Sequence, residues 1–173
     1  MRFPDAMKRS LFAFLAVACG SAGPSGSATV NGAVDGEPVV AGDVIGLVGN
    51  ELYDGVPSAY AGIVIASTTG TCARAVQDSV WNAPPGSTVF VLDVVVPGDS
   101  VTPGTYPVGG SGIAQYTAVD ANGSSNSFAG SGTVTFTSVG DALTGTFDVN
   151  LATQGHFTGD FTAPVCAGGK SPF

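Results

Sequence analysis

The chain has 173 residues, enough for one domain with a buried core. With 44% hydrophobic and only 10% charged residues it lacks the composition of a disordered chain, and its 26 glycines and 11 prolines point to many turns. Beyond Cys19, Arg74 and Lys170 face twelve carboxylates, a net of −10, which repels phosphate backbones and argues against nucleic acid as a partner.

At the front, Arg2, Lys8 and Arg9 precede the short apolar run 11–18. Eight helical residues span about 12 Å, well short of a ~30 Å hydrocarbon core. Cations, a short apolar run and small residues together read as an export signal over 1–18, with Met7 as an alternative start. "AVA" at 16–18 fits ordinary signal cleavage, which releases a soluble protein. "LAVAC" at 15–19 also resembles a bacterial lipobox, although Ala16 stands where leucine is commonest. That resemblance implies a thioether-linked diacylglycerol on Cys19 as the first mature residue, and hence a membrane partner through that lipid. The 3 cysteines favour it, because lipidation of Cys19 leaves Cys72 and Cys166 as an even pair. "GSAGPSGS" at 20–27 reads as a tether, so 19–27 is the lipidated cysteine and its flexible link, with a reach of roughly 15 Å. Gly20, in place of the aspartate that retains Gram-negative lipoproteins at the inner membrane, points to the outer membrane, on its periplasmic or its surface side.

A single domain is expected over 28–173. Segments 28–34 and 37–48 flank Asp35-Gly36, a two-residue hairpin signal, and 59–67 follows as a strand. The long connection 68–86 has room for a helical turn or two around 72–80. "VFVLDVVV" at 89–96 is apolar on both alternations except at Asp93, as in a central strand covered on both faces. Strands at 112–119 and 131–139 come next, separated by a turn at Asn122-Gly123. Leu143, Gly145, Phe147, Val149 and Leu151 alternate with polar neighbours, and Phe157, Gly159 and Phe161 do the same. A hairpin closed at 153–155, with Gly155 in the left-handed conformation, sets Phe147 opposite Gly159 and Phe161 opposite Gly145. Each ring then covers a glycine, which explains the echo of "LTGTF" in "FTGDF" as architecture. The whole is an all-β, antiparallel β-sandwich of about eight strands, with a β-barrel as the alternative.

Few residues offer chemistry. Cys72 and Cys166 lie in no C-x-x-C motif and are expected to form a disulfide. His156, the single histidine, falls on a polar strand face with no nucleophile motif or fellow metal ligand, so it reads as a surface residue. Asp120, Asn122 and Ser124 open like a calcium loop, but the glycine comes two places early and no closing glutamate follows. Trp81 with Tyr53, Tyr60, Tyr106 and Tyr116 could stack on a sugar, although aromatics in β proteins more often fill the core. No catalytic residue, metal ligand or cofactor is assigned.

"PGTYPV" (103–108), "SGTVTFTSV" (131–139), "LTGTF" (143–147) and "GDFTAPVC" (159–166) follow one another as successive β segments. From about residue 28 to Cys166 this series resembles a class of uncharacterised bacterial envelope lipoproteins that carry domains of unknown function. The resemblance implies a β-meander and brings no active site. The expected function is a non-enzymatic, lipid-anchored envelope module that binds a glycan or envelope protein or acts structurally. The alternatives are a calcium- or glycan-binding surface adhesin, and a secreted enzyme whose cleft holds two carboxylates of perturbed pKa, with His156 at the rim.

Overall fold

A computed structural model describes residues 25–34, 36–77, 79–152 and 155–172. The export signal, Cys19 and most of the tether therefore lie outside the described residues. Eleven strands and one short helix follow in order: β1 (Ser27–Asn31), β2 (Ala33–Val34), β3 (Glu37–Pro38), β4 (Asp43–Tyr53), β5 (Val56–Ala66), α1 (Thr71–Gln77), β6 (Ser87–Pro97), β7 (Gly104–Pro107), β8 (Gly112–Asp120), β9 (Gly123–Ser138), β10 (Ala142–Leu151) and β11 (Gly155–Pro164).

Nine strands form one antiparallel sheet in the order β1-β11-β10-β9-β8-β6-β5-β4, with β7 paired to β9, while β2 and β3 pair separately. The sheet curls into a half-barrel. Strand β9 makes the bend, since its first half pairs with β8 and its second half with β10 and β7. A register shift at Asn150/Leu151 and the positive φ of Gly132 (134°) mark the place. The curl brings the two ends of the sheet together: Gly26 N–H donates to Val44 O at 2.8 Å, Cys166 N–H donates to Gly46 O at 2.8 Å, and Gly46 bridges Val165 in parallel.

The antiparallel all-β architecture is as expected. Its two layers are halves of one continuous sheet, so the sandwich and the barrel describe the same curled object. The expected β10–β11 register holds, with Phe147 opposite Gly159, Gly145 opposite Phe161, and Gly155 at φ 93°. Sequence reading fell short at β4 and β5. The segment 37–48 is broken after Pro38, and β4 runs on to Tyr53 before a tight turn at Asp54-Gly55 (φ 50° and 79°). With φ positive at both residues, this Asp-Gly pair is type I′ turn chemistry.

Two cores result. The inner one lies between the halves of the sheet and contains Ile63, Phe90, Leu92, Phe136, Leu143, Phe147, Phe157 and Phe161. Phe90 meets Phe147 edge-on at 5.6 Å, and Phe136 meets Phe161 at 5.9 Å. The outer one lies on the far face of β4, β5 and β6, where Leu47, Tyr60, Val64, Val89 and Val91 are covered by Ala75, Val80, Ala83 and Cys166. Strand β6 is thus buried on both faces, as its apolar run requires.

Candidate functional site

The outer layer is where the chain concentrates polar and covalent features. Helix α1 is short and has a capping group far away in sequence: Asp43 Oδ2 accepts the Thr71 N–H at 2.9 Å, at the positive end of the helix. Cys72 follows on α1 and is bonded to Cys166 with Cα atoms 5.6 Å apart, so the expected disulfide is formed. It ties the long connection to the end of β11. Arg74, in the last turn, donates to Thr69 O at 2.9 Å and Thr71 Oγ1 at 3.1 Å, and burial pushes its pKa down. Beside the disulfide lies a groove of about 470 Å³, lined by Ser25, Asp43, Ile45, Val76, Val165 and Ala167 among others.

From Cys166 the chain continues as a strap, 166–172, across β4, β5 and β6. Tyr60 Oη donates to Gly169 O at 3.2 Å, Lys170 N–H donates to Ala75 O at 3.3 Å, and Trp81 Nε1–H donates to Pro172 O at 2.9 Å. Beneath the strap lies Asp93, with 0% exposure. Gly62 is directly across on β5, and a Cβ there would stand 2.9 Å from Asp93 Oδ1. The Val94 N–H donates to Oδ1 at 2.9 Å, whereas Oδ2 has no hydrogen-bond partner. Burial pushes the Asp93 carboxyl up to about 7, and the Glu51 carboxylate adds to the rise. The Val94 N–H and the Ser171 side chain, which also acts on this carboxyl, pull the other way without offsetting burial. Tyr60 is likewise pushed up, by burial first and then by Glu51 and Asp93.

The other residues singled out from sequence do not converge. His156 Nε2 lies 2.7 Å from Asp148 Oδ1 on the exposed face of the β10–β11 hairpin, in the opposite half of the sheet from Asp93. Asp120 Oδ1 accepts the Asn122 N–H at 2.6 Å, an Asx turn closing the β8–β9 hairpin, and this matches the turn reading of that stretch. Among the described residues no group of three or more His, Cys, Asp or Glu could hold a metal ion. The aromatics are dispersed. Trp81 is half-buried in the outer core under the strap, Tyr60 and Tyr116 are buried, and Tyr106 donates to Thr102 O at 2.6 Å beside Phe136. Tyr53 stands at the β4–β5 tip with Leu52 and Val56, exposed by 49%, 73% and 50%. This tip borders a groove of about 390 Å³ lined by Tyr53, Val56, Ser58, Val95 and Ile113 among others.

Sequence reading noticed Asp93 only as the exception in an apolar strand. A lone acid on a strand buried on both faces was the available signal for a buried carboxyl. Comparison with known proteins adds nothing further: no protein-family model matches the chain, and neither a curated protein nor a solved structure aligns with it.

Proposed function

We propose that this chain is an exported lipoprotein, anchored in the cell envelope through acylated Cys19, whose β domain serves as a binding or structural module. The disulfide carries the reading. It occupies Cys72 and Cys166, leaving Cys19 as the odd cysteine, and such a bond persists in an oxidising compartment outside the cytosol. The placement of the chain's entrance supports it further. Gly26 docks on Val44 at the start of β4, so the anchored end and the disulfide share one end of the domain. The exposed apolar tip at Leu52, Tyr53 and Val56 lies at the other end of β4, roughly 30 Å along the strand. With the link entering at that end, the tip is the part of the domain that can reach farthest from the bilayer.

Expression of the full chain and of Cys19→Ser with a fatty-acid probe tests the reading. The unaltered protein should fractionate with membranes, carry the label and contain no titratable thiol, while Cys19→Ser should be soluble and unlabelled. Label retained by Cys19→Ser, or a native protein found dissolved with a free thiol, overturns it.

A further inference from the structure

The strap 166–172 is tied to α1 by the disulfide at Cys166 and is held over the sheet by hydrogen bonds at Gly169, Lys170 and Pro172 and by Ser171 beside Tyr60 and Asp93. Its seat contains a wholly buried carboxyl whose Oδ2 makes no hydrogen bond, and the carboxyl's polar neighbours are the Val94 N–H and Ser171 on the strap. A charge left in that position is poorly compensated, whereas a neutral carboxyl is tolerated. We propose that the strap is a proton-set latch: it lies shut over β4, β5 and β6 while Asp93 is protonated, and it opens, hinged at the Cys72–Cys166 disulfide, when the carboxylate forms.

The groups around Asp93 favour this polarity. From β4 comes Glu51, an acid that opposes a second negative charge. From β5 come Tyr60, whose hydroxyl is engaged by the strap, and Gly62, which contributes no side chain. Apolar Ile113 is opposite on β8. The Val94 N–H on β6 and Ser171 on the strap favour the anion, and burial outweighs both. With the strap shut the carboxyl titrates near 7, and in water it returns toward 3.8. Between those values the shut form holds a proton that the open form releases. Opening therefore gains up to about tenfold per pH unit, about 1000-fold across the window, and no more above it. Lifting the strap uncovers the row Tyr60, Gly62 and Asp93 and lengthens the groove bounded by Tyr53, Val56 and Val95.

Hydrogen exchange of the intact, disulfide-bonded full chain between pH 5 and pH 8, corrected for intrinsic rates, reads the latch through the Lys170 amide. Its protection should fall by up to about tenfold per pH unit until about pH 7 and then level off, while the Val149 amide in the inner sheet shows no such slope. In Asp93→Asn the Lys170 protection should be flat. Flat protection in the unaltered protein, or an unchanged slope in Asp93→Asn, overturns the proposal. If Asp93→Asn does not fold, ¹³C titration of the unaltered Asp93 decides: a midpoint raised above 3.8 and lying within the range over which Lys170 protection falls supports the latch, and one near 3.8 overturns it.

Discussion

Asp93 and Gly62 are a matched pair, because the glycine supplies the space that the carboxyl fills. The same burial couples Asp93 to global stability. Its folded-state pKa of about 7 lies above the 3.8 ordinary for aspartate, so between those values the folded chain binds a proton that the unfolded chain does not. Its contribution to stability is fully present below about pH 4, declines as pH rises to about 7, and is then constant. The ceiling on this loss is about 4 kcal/mol. Urea unfolding at pH 5 and pH 8 should show the unaltered protein losing stability relative to Asp93→Asn, and an equal pH dependence in the two would refute the assignment. The acid was legible inside "VFVLDVVV", but the residue that accommodates it was not. Gly62 is 31 positions away by number and becomes its neighbour only through the β5–β6 register.

Elements were most legible where two residues constrained each other. The alternation in β10 and β11 together with the left-handed Gly155 sets a register in which Phe147 covers Gly159 and Phe161 covers Gly145. Gly159 also lets β1 approach, since a Cβ there would fall 1.9 Å from Thr29 O and 2.6 Å from the Phe147 ring. Gly159→Ala should therefore push β1 off β11, costing about 2 kcal/mol and exposing 27–31 to protease. Gly130→Ala, with nothing within 4 Å of its Cβ, should stay within about 0.5 kcal/mol. Equal urea midpoints for the two variants would remove the packing argument. The β4–β5 tip was missed although Asp54-Gly55 is as strong a turn signal as Asp35-Gly36. The reason is physical: Leu52, Tyr53 and Val56 are exposed there, so alternation no longer reports which side faces a core. Helix α1, Thr71–Gln77, is the turn or two expected around 72–80, whereas its capping group, Asp43 in β4, was not legible.

At the scale of the molecule, one sheet serves two cores of unequal security. The inner core is enclosed by both halves of the curl and stapled where Gly26 meets Val44 and Cys166 meets Gly46. The outer core has the sheet on one side only, and its cover is a seven-residue helix, a loop and the strap, all tied together by the one disulfide. In the chain-entropy model, closing a span of 94 residues contributes at most about 4.7 kcal/mol. Removing it should act first on the layer it fastens. The double variant Cys72→Ala/Cys166→Ala should keep its far-ultraviolet β signal under conditions where Trp81, the single tryptophan, has shifted to the red as Pro172 lets go of its indole. Urea unfolding followed by both signals should give two separated transitions in the variant and one in the intact protein. If the two signals still coincide in the variant, the outer layer is no weaker than the inner core, and the sheet with its cover unfolds as a single unit.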